Sequence, residues 1–174
     1  MPRIHAVALL GAALALGAGK ADVQEAAPIP KDPTTGRYSL QGVVQAEGAT
    51  SAELFARARA WVAQTYRSAQ DVVQLEDAST GRLVAKGNFE IRGGLGMTVT
   101  IWHLLTIETK DGRYRYTLTD FESELVGNGT GRKPVEDPGA NPKFLAKIGA
   151  EARTVVAGLK AAMQKPTPAA DKDW

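Results

Sequence analysis

"TIWHLLTIETKDGRYRYTLTDFE", residues 100–122, reads as two strands folded back on a tight turn at Asp111-Gly112. Side chains on a strand alternate between faces. Ile101, His103, Leu105 and Ile107 therefore share one side of the first strand. Tyr114, Tyr116 and Leu118 share one side of the second, opposite Arg113, Arg115, Thr117 and Thr119. The tyrosines and arginines alternate in sequence but separate in space. The pair is thus a hairpin with one apolar face to bury and one polar face, and it is no mixed basic-aromatic surface.

Working outward, residues 71–94, "DVVQLEDASTGRLVAKGNFEIRGG", predict two more strands joined by a turn at Asp77 to Gly81. Leu83, Ala85, Gly87, Phe89 and Ile91 fall on one side of the second. "GGLG" (93–96) turns the chain into the strand beginning near Met97, and "RYSLQGVVQAEG" (37–48) supplies a first strand. Two segments carry helical periods instead. In residues 50–70, Thr50 or Ser51 caps and Glu53 completes a capping box, while Leu54, Ala58, Trp61, Val62 and Thr65 mark the buried stripe. In residues 143–165 the stripe is Phe144, Ile148, Ala152, Val155, Leu159 and Met163. The order β-α-β-β-β-β-α predicts an α+β fold, an antiparallel sheet with both helices on one face.

The flanks carry other signals. Residues 1–21 have Arg3, an apolar run from Ala6 to about Gly19 and small residues before Asp22, the pattern of a cleaved signal peptide. That run is too short to span a bilayer, so export to the periplasm or medium is expected. Residues 22–36 read as a flexible linker, 37–165 as the single domain and 166–174 as a disordered tail. Arg3 and Lys20 would leave with the leader, reducing 21 basic residues to 19 against 19 acidic ones. A neutral body gives no electrostatic reason to expect nucleic acid. The absence of cysteine closes disulfides, thiolate metal sites, cysteine nucleophiles and a lipoprotein anchor.

The segments "AWVAQTYRSAQDVVQLEDASTGRLVAKG" (60–87) and "GRYRYTLTDFESE" (112–124) resemble an exported bacterial family, domain of unknown function 4468, described as having a TBP-like fold. The likeness spans about residues 38–125 and rests on Trp61, Ser68-Ala69, Leu75-Glu76-Asp77, Gly81, Gly87 and "YRYTLTDF". It implies a curved antiparallel sheet with helices on one face. It implies no activity and no catalytic residues, and a topology named for a DNA-binding protein does not carry DNA binding with it.

No catalytic motif, cofactor or metal site is expected. His103 lies on an apolar strand face with no second histidine to join it once the leader is gone, which is the pattern of a core histidine. Asp120, Glu122 and Glu124 alternate and would share a face if the strand runs straight, a weak cue for a hard cation or a carboxylate pair. The glycines of 93–96 and 127–131 lack phosphate-loop spacing. The polar sheet face is the most informative feature. It is expected to present Arg82, Lys86, Arg92, Trp102, Arg113 and Arg115, with Glu90 and Glu108 offsetting part of the charge. Exposed tryptophan and arginine suit a binding surface. The expected function is therefore a non-enzymatic exported binding module. Its partner would be a protein, an anionic envelope component or a second copy through the sheet face. The alternative is an envelope enzyme working at residues 120–124 under the 126–142 loop.

Overall fold

The computed structural model describes residues 27–66, 72–127, 131–136 and 141–165. The signal-peptide and tail readings, residues 22–26 and the Ser68-Ala69 step lie outside the described residues. The chain runs β1 (Leu40–Gln45), α1 (Ser51–Thr65), β2 (Val73–Asp77), β3 (Arg82–Arg92), a 3-10 turn (Gly94–Gly96), β4 (Thr98–Lys110), β5 (Arg113–Leu125), β6 (Lys133–Pro134) and α2 (Pro142–Gln164). The strands form one antiparallel sheet in the order β1-β5-β4-β3-β2, and β6 pairs the same edge of β5 farther along. Both helices cover one face, so the expected α+β architecture stands.

Local chemistry accounts for the elements. α1 begins where Thr50 accepts from the Glu53 N–H while the Glu53 carboxylate accepts from the Thr50 N–H at 2.8 Å. Asp111 Oδ1 also accepts from the Ser51 N–H at 2.7 Å, tying the helix start to the hairpin turn. In that turn Gly112 has φ 72°, the left-handed region where glycine carries no Cβ penalty. At the β2–β3 turn, Asp77 accepts from Ser79 and Thr80, which holds its carboxyl down at about 2. α2 starts on Asn141, whose side chain accepts from the Phe144 N–H, with Pro142 in the first turn.

The core lies between helices and sheet. Leu54, Ala58, Val62, Ile101, Leu105, Leu118, Phe121, Ile148, Ala152 and Leu159 are each fully buried there. The predicted stripes need adjustment. In α1 Thr65 is exposed, and Phe55 is buried instead. In α2 Leu145 and Val156 are buried, while Phe144 and Val155 are half-buried beside them. Each pair is adjacent and apolar, so periodicity alone could not choose between them. Gly87 lies directly beneath Tyr66: a Cβ there would meet the ring at 2.2 Å. The strand needs glycine at this point so that the aromatic side chain can lie against its backbone.

Two segments outside the regular elements also dock. Residues 27–36, part of the expected flexible linker, carry Ile29, which is 3% exposed. Arg153 donates to the carbonyls of Ala27 and Pro28, and Lys31 bridges Tyr38. In the 126–142 loop, β6 and the buried Val135 pack on the sheet edge. Proline is tolerable in β6 because an edge strand need not donate on both sides. Among the described residues no helix is long and apolar enough to cross a membrane.

Candidate functional site

The hairpin of β4 and β5 is regular from Lys110↔Arg113 to Leu104↔Thr119, and the next recorded pairing is Trp102↔Glu122. Two residues of β5, Asp120 and Phe121, therefore oppose His103 alone. This is a β-bulge, and Asp120 adopts φ 53° to make it. The extra residue reverses the alternation. Phe121 turns inward, fully buried, with its ring centroid 6.2 Å from that of His103. Glu122 and Glu124 turn onto the open face. The expectation that Asp120, Glu122 and Glu124 share a face of a straight strand is corrected: Asp120 sits at the kink itself and only the two glutamates alternate outward.

A cleft of about 560 Å³ opens at this kink. Leu104 gives its apolar floor beside the backbone of the kink, and Lys86 and Glu122 form one wall. Residues 35–37 of the docked N-terminal segment, with Pro134 and Glu136 of the long loop, close it from the edge. Its charged groups are all engaged. Arg37 pairs with Asp120, Lys86 Nζ lies 3.3 Å from Glu122 Oε2, and Glu136 Oε1 accepts from the Tyr38 N–H at 2.8 Å.

Beside the cleft, Trp102 is half-buried rather than openly exposed. Its indole N–H donates to Glu124 Oε2 at 2.8 Å, and the Arg132 guanidinium stacks 3.6 Å from the ring. Arg132 also lies 3.5 Å from Glu124. Sequence reading missed Arg37, Arg132 and Glu136. Arg132 and Glu136 stand in an aperiodic segment, and Arg37, read as the start of the first strand, lies ahead of β1, which begins at Leu40.

By strand alternation the six predicted residues fall on the open side, but Arg92, at the end of β3, lines a hollow with residues of α2, and the set does not converge. Arg82, Glu108 and Arg115 stand in one cross-strand row, and Glu108 accepts from Arg115 Nε at 2.8 Å. Arg113 lies one step beyond, beside Lys110. Lys86 and Trp102 occupy the middle. Arg92 is ten residues along β3 from Arg82, about 33 Å at strand spacing, and belongs to a different corner. Arg113 and Arg115, with Lys110, Glu108 and Val43, line a smaller hollow of about 260 Å³.

His103 is a core histidine. It is fully buried, its Nε2 lies 2.9 Å from the Tyr66 hydroxyl, and its ring centroid is 5.4 Å from that of Phe89. Burial lowers its pKa to about 4 and raises that of Tyr66. Its Nδ1 has no hydrogen-bond partner. Among the described residues no three histidines or carboxylates are grouped to hold a metal ion.

Residues 41–124 match the model of the family described as "Domain of unknown function (DUF4468) with TBP-like fold". Over that segment the chain matches the DUF4468 family. The matched span runs from β1 to the bulged end of β5, so the kink is inside the DUF4468 segment, while Arg132, β6 and α2 fall outside it. The structure is similar to a TBP-like protein from Parabacteroides distasonis, with a TM-score of 0.66, 17% identity, and 80% of this chain and 99% of that one covered. It is also similar to a DUF4468 family protein from Bacteroides ovatus, with a TM-score of 0.63, 13% identity, and coverage of 82% and 94%. At such identities the likeness is one of fold. A search of the curated proteins finds no match.

Proposed function

We propose that this DUF4468 protein is an exported, non-enzymatic binding module. Its ligand enters the cleft at the β5 bulge on the open sheet face. The observation that supports this reading above all is the cleft's construction. A kinked strand, the N-terminal segment and the long loop meet there around an apolar floor with both signs of charge on its walls. Bulges and left-handed non-glycine residues concentrate where a fold departs from regularity for a use. The ligand class that fits is one with an apolar part over Leu104, carrying both a cationic and an anionic group that exchange with the internal ion pairs. Each of Asp120, Glu122 and Glu124 is already matched by its own cation, which favours recognition over a pair of carboxylates acting as acid and base. Export rests on the apolar N-terminal run that follows Arg3.

Hydrogen exchange of the full chain with and without an envelope extract tests the reading, run beside Leu104→Arg, which fills the cleft. Protection confined to residues 35–37, 104 and 120–122 in the parent and lost in the variant is the expected result. Protection elsewhere, or none, defeats it.

A further inference from the structure

At the far end of β3, away from the bulge cleft, a second hollow of about 560 Å³ is lined by Arg92, Gly93, Gly94, Lys143, Phe144 and Lys147, with the helix cap between them. Three cations from two elements line one concavity, and no carboxylate among the described residues lines it with them. The hollow at Lys110, Arg113 and Arg115 differs in holding Glu108 among its cations. Arg37, Arg59, Lys86, Arg115 and Arg132 each have an acidic partner within 3.5 Å, whereas no ion pair engages Arg92, Lys143 or Lys147 among the described residues.

The neutral contacts of these cations organise the corner. Lys147 Nζ donates to the Arg92 carbonyl at 2.6 Å, bolting α2 to the end of β3. The Arg92 guanidinium donates to the Gly96 carbonyl at 3.4 Å, which holds it over the 93–96 turn. Gly94 presents bare backbone with open space where a side chain would stand. The helix end is not the recognising group, since Asn141 already accepts the Phe144 N–H and Pro142 has none to offer. Like charges gathered in this way repel one another, and an anion seated among them relieves the repulsion.

We infer that this corner is a phosphate-binding site. Arg92 and Lys143 donate to the phosphate oxygens, and Lys147 adds charge from the wall. Phosphate fits better than a single carboxylate because it offers more than one negative charge and at least three acceptor oxygens to donors arriving from separate elements. The same chemistry is presented by free phosphate and by a phospholipid headgroup. The site is independent of the bulge cleft, so its failure would leave that reading untouched.

The test uses the full chain in low salt. It is titrated with inorganic phosphate by NMR and, separately, sedimented with vesicles of phosphatidylglycerol or of phosphatidylcholine. Saturable shifts at residues 92–94 and 143–147 point to free phosphate. Sedimentation with the anionic vesicles alone points to the headgroup. In either case Arg92→Gln/Lys143→Gln/Lys147→Gln weakens binding by at least about tenfold, as loss of charge-assisted contacts requires. Lys143→Gln alone, whose exposed side chain anchors no structure, weakens it by roughly threefold. Arg113→Gln/Arg115→Gln leaves it unchanged. The inference fails if neither probe binds, or if the triple variant, folded by its thermal transition, binds as the parent does.

Discussion

β5 carries two different alternations, one on each side of Asp120. Before it, odd-numbered residues reach the open face: Arg113, Arg115 and Thr117 lie opposite Lys110, Glu108 and Thr106 in an unbroken ladder. After it, even-numbered residues do, and Glu122 and Glu124 stand opposite Trp102 and Thr100. One inserted residue makes the whole difference. The first half gives a flat face where neighbouring charges pair across strands. The second bends, and the N-terminal segment and the long loop come in to cover it. A concave site thus forms only where the ladder is interrupted.

That contrast is broken most directly at the residue the bulge turns inward. Phe121→Ala should cost about 3–5 kcal/mol in urea denaturation, as for other fully buried aromatics. Glu122→Ala, one residue on and facing outward, should cost less than about 1 kcal/mol. Similar losses at the two positions would mean that the strand runs straight.

The next effect comes from His103, the residue that both bulge residues oppose. Its pKa falls from 6.5 when exposed to about 4 in the fold, because burial disfavours the charged ring. Between those values the unfolded chain binds the proton and the native one does not. Stability should therefore be flat above pH 6.5 and fall as the pH drops toward 4, by about 3 kcal/mol in all. The depressed carboxyl of Asp77 titrates lower, between 3.8 and about 2, so the two windows separate. His103→Gln should remove the upper fall while leaving the lower one. A parent protein whose stability is unchanged from pH 7 to 4.5 would contradict this burial.

A smaller effect isolates the backbone of the kink. Asp120→Gly and Asp120→Ala both lose the Arg37 partner, but only glycine takes φ 53° without a Cβ penalty. Against the greater freedom of glycine in the unfolded chain, the Gly variant should still be the more stable by about 1 kcal/mol. The reverse order would show that the bulge relaxes when the aspartate is removed.

The two halves of β5 also divide what could be read in the sequence. Where periodicity holds, reading worked: the hairpin at Asp111-Gly112, the capping box at Thr50 and Glu53, and both faces of β4 follow from alternation and turn chemistry. The bulge was not legible because Asp120 is a non-glycine residue taking a glycine-like conformation, and no spacing announces that. The reading that Asp120, Glu122 and Glu124 share one face of a straight strand failed with it. Arg37, Arg132 and Ile29 were hidden for a second reason. They lie in proline- and glycine-rich segments whose course is set by tertiary contact, as where Tyr38 donates to Glu136 and Arg153 holds the carbonyls of 27 and 28. The predicted basic surface is not one surface: its residues follow the strand alternation, but Arg92 ends in a hollow beside α2. It was wrong as a cluster, because alternation fixes a face and says nothing about distance along it.

The smallest effect compares one ion pair from each half. Arg115 and Glu108 lie on the flat face, with side chains 58% and 36% exposed, and Lys86 and Glu122 lie in the cleft at 37% and 33%. A double-mutant cycle on the first pair should give about 0.5 kcal/mol or less, because water screens both partners. The second has the longer contact but the drier surroundings. Because the N-terminal segment and the long loop close the cleft from the edge, its coupling should exceed the first by a few tenths of a kcal/mol and survive salt better. Equal couplings with equal salt dependence would mean that the cleft wall is as wet as the flat sheet. The bulge would then have changed the direction of the side chains without changing their environment, and the cleft would lose its claim to be the binding site.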